Sequence, residues 1–134
     1  MKVRPRITQE EYDNIKKTRI ENNQKRVLVI GDLHEPFCLE GYFDFCKDIY
    51  TKYKCTDVVF IGDIVDNHFA SYHETIPDSI GGGDELEFAI SKLKKWHNYF
   101  PNATVIIGNH DRLIMRKAQT GGISSKWIRD YKDV

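Results

Sequence analysis

Lys25-Arg26-Val27-Leu28-Val29-Ile30-Gly31-Asp32 is a short β-branched run that stops on Gly-Asp, the pattern of a strand buried on both faces. The pattern returns at Asp57-Val58-Val59-Phe60-Ile61-Gly62-Asp63 and at Thr104-Val105-Ile106-Ile107-Gly108-Asn109-His110. Between the first two runs, from Gly41 to about Tyr53, Tyr42, Cys46, Ile49 and Tyr53 recur at spacings of 3 and 4, the stripe of a helix packed on a sheet. Between the second and third, Asp84 and Glu87 make a capping-type start, and Leu86, Ile90, Leu93, Trp96 and Phe100 follow along one face until Pro101-Asn102. Strand, helix, strand, helix, strand predicts an α/β fold whose crossovers are long enough to set the strands parallel with right-handed connections. All three strands then end on one edge, where loops converge and helix amino termini face a ligand.

The rest of the chain fits a single folded unit. Its 134 residues are 40% hydrophobic and 30% charged, which excludes collagen-like, low-complexity and charge-disordered classes. The longest aliphatic run, Val27 to Ile30, is far too short for a membrane span, and the opening residues lack the apolar stretch of a signal peptide. A cytoplasmic protein with no membrane partner is expected. Cys38, Cys46 and Cys55 form no C-x-x-C pair, so a disulfide framework, a zinc ribbon and dithiol redox chemistry are disfavoured. Formal charge is zero, but residues 1 to 26 carry 8 basic and 4 acidic side chains, net +4, against 12 basic and 16 acidic in the remainder, net −4.

Thr8 followed by Glu11 is a capping box that predicts a polar helix to about Asn22, and residues 1–24 are read as a basic helical appendage to a domain spanning 25–134. A nucleic-acid contact is one reading of that arm and a solvated helix the plainer one. No period holds from Ile64 to Gly83; Gly81-Gly82-Gly83 lacks the Lys-Ser/Thr of a phosphate loop and reads as a hinge or turn. A basic helical segment is expected around Arg112 to Lys117, and a last helix from Ser124 or Ser125 to about Tyr131. Trp96 and Trp127 read as packing residues, and His97 as a core or boundary histidine.

The three strand ends deliver Asp32-Leu33-His34, Gly62-Asp63-Ile64-Val65-Asp66-Asn67 and Gly108-Asn109-His110-Asp111. In an extended segment residues two apart point the same way, so Asp32 and His34 can reach one cation while Leu33 turns into the core. Carboxylate, imidazole and carboxamide together suit divalent ions such as Mn²⁺, Fe²⁺, Zn²⁺ or Co²⁺. Several carboxylates on one edge repel one another unless cations sit between them. Asp after Gly is also ordinary turn chemistry and Asn109 a plausible cap, but three such motifs at three successive strand ends favour a metal site.

These blocks resemble those of the calcineurin-like metallophosphoesterase superfamily, D-x-H, G-D-x-x-D and G-N-H-[DE], over roughly residues 26 to 112. The resemblance implies the first half of a metallophosphoesterase-type α/β sandwich, with two divalent ions at the carboxyl edge of its parallel strands. By that resemblance Asp32, His34 and Asp63 hold the first ion, and Asp63 bridges to a second that Asn109 also ligates. His110 faces the leaving group and Asp66 hydrogen-bonds His110. The implied activity is metal-dependent phosphoester hydrolysis by a metal-bridging hydroxide. Two ions about 3.5 to 4 Å apart bring the pKa of a shared water toward ~7.

Asn67 and Asp111 stand where phosphoprotein phosphatases carry Arg and Glu, which draws the resemblance toward the phosphodiesterase, nuclease and small-phosphoesterase branches. His68 and His73, with Asn67 and Asp111, are candidate substrate or metal contacts. Family members supply further histidines from late G-H and G-H-x-H blocks, whereas no His follows His110 here. The expectation is an amino-terminal portion of a longer protein, or a site completed by another chain or a second copy, with one sheet face left uncovered. The alternative is a truncated or degenerate metal- or nucleic-acid-binding module without activity of its own.

Overall fold

A computed structural model describes residues 7–21, 25–75 and 78–134. Lys2, Arg4 and Arg6, and the expected helix end at Asn22, lie outside the described residues. The capping box forms at the start of α1 (Gln9–Glu21): the Thr8 backbone N–H donates to Glu11 Oε2 at 2.8 Å, and the Glu11 N–H donates to Thr8 Oγ1 at 3.2 Å. The Thr8 hydroxyl also donates to Glu11 Oε2, at 3.0 Å, and these bonds from the Thr8 N–H and hydroxyl hold the Glu11 pKa below its ordinary value. From Gln9 to Thr18 every side chain of α1 is exposed.

Three parallel strands follow in the order β1 (Val27–Ile30), β2 (Asp57–Phe60), β3 (Thr104–Val105), with Val27 opposite Asp57 and Val59 opposite Thr104. Their crossovers are α2 (Tyr42–Lys52) and α3 (Gly82–Tyr99). Right-handed crossovers running in one direction put both helices on one face of the sheet. The core lies there: Ile30, Val58 and Phe60 of the strands pack with Cys46 of α2, Trp96 of α3 and Phe100 just beyond it. Phe43 and Tyr50 widen the α2 stripe by meeting Trp96 and Phe100 edge-on, with ring centroids 4.9 and 5.4 Å apart.

The opposite face is open, which agrees with the expected uncovered sheet face and corrects the reading of a first strand buried on both sides. Val29 is 56% exposed while its neighbour Ile30 is fully buried. Val27, Ile61 and Ile106 are also exposed, because both helices lie on the other face and no element among the described residues covers this one.

Four further expectations change. The third strand is two residues long, although the Ile106 N–H still donates to the Phe60 carbonyl at 2.8 Å. The last helix is instead a pair of 3-10 turns, Ser125–Trp127 and Tyr131–Asp133, separated by an extended Ile128. Trp127 stands 86% exposed rather than packed, and His97 is exposed at the rim of α3; only Trp96 is a core tryptophan. The basic segment forms α4 (Leu113–Thr120); the described part of the Ile64–Gly83 stretch contains the 3-10 turn His68–Ala70, and its last two glycines begin α3.

Candidate metal centre

The β1–β2 ladder does not end with the strands. The His34 N–H donates to the Asp63 carbonyl and the Glu35 N–H to the Ile64 carbonyl, both at 2.9 Å, and Glu35 bridges to Val65 in parallel register. The loops that carry the first two motifs are therefore zipped together. Glu35, a residue the sequence did not single out, is buried behind them and accepts the Trp96 Nε1–H at 3.0 Å. Glu85, also buried, caps the next turn by accepting the His68 N–H at 2.8 Å. Acids on short polar stretches carry no sequence signal of burial, so both were missed.

The second and third loops meet backbone to backbone. At Gly62, where φ is +102°, an added Cβ would sit 2.6 Å from Gly108 Cα. At Gly108 it would strike the Asp63 carboxylate and backbone. Glycine is thus required by close approach at 108, and by approach and turning together at 62. The Asp111 carboxylate staples the junction: Oδ1 accepts the N–H groups of Ile64 and Val65 at 3.0 and 3.1 Å and the Tyr131 hydroxyl at 3.0 Å, and Oδ2 accepts the Gly108 N–H at 2.7 Å. This places Asp111 beneath the loops with both oxygens engaged. Burial and the Asp111 charge raise the Tyr131 pKa above its ordinary value.

Asp32 and His34 are not extended. Both adopt left-handed backbone, φ 52° and 46°, and Leu33 between them is 1% exposed in the core. The two side chains still share a side: His34 Nε2 lies 3.9 Å from Asp32 Oδ1. Asp63, also left-handed, accepts the His110 N–H on Oδ1 at 2.9 Å, which leaves Oδ2 for a cation. Single ligand atoms of Asp32, His34 and Asp63 lie within 4.8 Å of one another. Ligands about 2.1 Å from one ion stand roughly 3 to 4.2 Å apart, so this set closes around a divalent ion with little movement. Asp32 is exposed, so an ion held by this set would have an open side.

His110 is held from three directions. Besides its N–H bond to Asp63, its carbonyl accepts the Asn67 Nδ2–H at 2.9 Å and its Nδ1 lies 2.7 Å from the Asp66 carbonyl oxygen. The Asp66 carboxylate instead lies 2.8 Å from His34 Nδ1, with His110 Nδ1 at 3.6 Å and His68 Nδ1 at 3.8 Å. His34 and His110 meet edge to face, 4.5 Å between ring centroids. His68 Nε2 is buried without a hydrogen-bond partner. Asn109 is exposed on the turn beside His110, where its carbonyl accepts the Arg112 N–H at 3.2 Å. His73 is exposed farther along the loop, its N–H bonded to Ser71 Oγ. The structure thus gathers Asp32, His34, Asp63, Asp66 and His110, sets His68 and Asn67 at their margin, and leaves His73 apart.

A family model for calcineurin-like phosphoesterases matches residues 25–134. The chain belongs to that family. No curated protein and no solved structure matched it. Calcineurin-like phosphoesterases are typically metal-dependent enzymes that act on phosphoesters and bind divalent ions, and the Asp32, His34 and Asp63 set is a candidate ligand group for one. No helix among the described residues is long and apolar enough to cross a membrane.

Proposed function

We propose that this calcineurin-like chain contributes the site of a divalent-metal-dependent phosphoester hydrolase, of the phosphodiesterase, nuclease or small-phosphoester type. The observation that carries the reading is the convergence of Asp32, His34 and Asp63 from two zipped strand ends, with His110 delivered by the third. Asp32, His34 and Asp63 would hold one ion, and Asp63 with Asn109 a second, among Mn²⁺, Fe²⁺, Zn²⁺ and Co²⁺. Bound there, divalent ions supply Lewis acidity toward phosphoryl oxygens and a nucleophilic water at neutral pH.

The chain's own groups do the positioning. Asp63 ties the first two loops to the third through the His110 N–H, so a ligand and a proton-handling group move together. His110, fixed at its N–H, carbonyl and Nδ1, presents its Nε2 edge to the departing oxygen as proton donor or electrostatic support. The domain is assigned to residues 25–134, with 1–24 as a basic appendage, and the three free cysteines support a reducing, cytoplasmic setting. Nucleic acid, a nucleotide or a smaller phosphoester would be the substrate, and a second copy or further chain would supply the remaining ligands of the second ion.

Asp63→Asn tests the reading in the complete protein. It keeps the hydrogen bond to His110 while removing the charge, so Mn²⁺-dependent turnover of an aryl phosphodiester is expected to vanish; unchanged turnover rejects the bridging role. Calorimetric Mn²⁺ titration separates the second reading, favoured by the two-ligand second site. Two coupled sites support the hydrolase, and no uptake with salt-sensitive DNA binding supports a binding module.

A further inference from the structure

Asp66 lies where both site histidines end. Its N–H donates to the Glu35 carbonyl at 3.0 Å, which fixes its backbone to the extended β1–β2 ladder, and its side chain is only 17% exposed. Two different acceptors of this one residue face two imidazoles. The carboxylate Oδ1 meets His34 Nδ1 at 2.8 Å, and the carbonyl oxygen meets His110 Nδ1 at 2.7 Å. Neither acceptor carries a proton to give, so in both bonds the imidazole Nδ1 is the donor. A neutral imidazole has one N–H, and the lone pair then falls on Nε2.

Resting on the metal reading above, in which the family resemblance already ties Asp66 to His110, we infer that Asp66 is also a positioning residue for His34 and sets the same Nδ1–H tautomer in both, by its side chain for His34 and its main chain for His110. For His34 this aims the Nε2 lone pair toward Asp32, whose Oδ1 is 3.9 Å away, as a metal ligand requires. For His110 it leaves Nε2 free of internal obligations on the side away from Asp66. The Asp66 carboxylate is 3.6 Å from His110 Nδ1, beyond hydrogen-bond reach, so its removal acts on the ligand histidine and not on the histidine beside the leaving group.

That asymmetry is testable without turnover. Long-range proton–nitrogen correlation spectra of the ¹⁵N-labelled 134-residue chain, metal-free at about pH 8 where imidazoles are ordinarily neutral, read each tautomer directly. In the unaltered protein both His34 and His110 are expected to show a protonated Nδ1 and an unprotonated Nε2. In Asp66→Ala, His34 loses that preference, His110 keeps it, and Zn²⁺ affinity falls on the order of 10- to 100-fold. A His34 with protonated Nε2 in the unaltered chain overturns the inference, as does an Asp66→Ala spectrum in which His110 changes and His34 does not. If the variant fails to fold, the unaltered spectrum alone decides. An unaltered chain that takes up no Zn²⁺ sinks the metal reading, while the tautomer assignment is judged on the spectra.

Discussion

Four non-glycine residues of the site loops, Asp32, His34, Asp63 and Asn67, sit in left-handed backbone with φ between 46° and 52°. Each costs on the order of 1–3 kcal/mol, and the zipped loops hold them there. Asp, Asn and His tolerate this region better than most residues, so the strained positions carry residue types that can hold a metal. Asp32 gives the cleanest test because its side chain is 77% exposed and makes no close bond. Asp32→Gly relieves about 1–2 kcal/mol of backbone strain and returns roughly 0.5–1 kcal/mol in chain entropy. Urea unfolding without metal should therefore show a gain of up to ~1 kcal/mol, while Mn²⁺ titration shows weakened binding; a destabilised variant would assign Asp32 a structural role. The motif letters predict that the Asp32 and His34 side chains share a side, and they do. They did not reveal that two left-handed residues, and not an extended segment, bring them round, because φ signs depend on what the loop is tied to.

The carboxyl-terminal turns show how a short element can serve the site. Three-residue 3-10 turns have no periodicity to read, and the helix expected from Ser124 or Ser125 to about Tyr131 is two such turns. Tyr131 ties it down: its hydroxyl donates to Asp111 Oδ1 and joins the three backbone N–H groups that the two oxygens of that carboxylate already accept. Tyr131→Phe removes one hydrogen bond at a cost of about 1 kcal/mol in denaturant unfolding. The pH dependence has a definite sign. Burial, reinforced by Asp111, raises the folded Tyr131 pKa above the ordinary 10. Its contribution is whole below that ordinary value and is lost as pH rises through and beyond it. Unfolding measured from about pH 8 to 11 should therefore show an alkaline decline that Tyr131→Phe flattens; an equal decline in both proteins would place the titration elsewhere.

In the molecule as a whole, one sheet face carries the core and the other stands open, which predicts very unequal tolerance along β1. Ile30→Ala, in the core, should cost about 2–5 kcal/mol, whereas Val29→Thr, one residue away on the open face, should stay within roughly 1 kcal/mol. Urea midpoints of the two variants check this, and comparable losses would mean that something covers the open face in solution. The alternation of strands and helices, the parallel sheet and the arrival of acids and imidazoles at one edge were all legible in the amino acids, because hydrophobic period and glycine punctuation are local properties. Which face would be buried, and which partner each site group would take, were settled only by folding. Asp66 to His34, Asp111 to Ile64 and Glu35 to Trp96 join residues 32 to 61 positions apart. Contacts of that range depend on where the zipped loops cross, which no local pattern encodes.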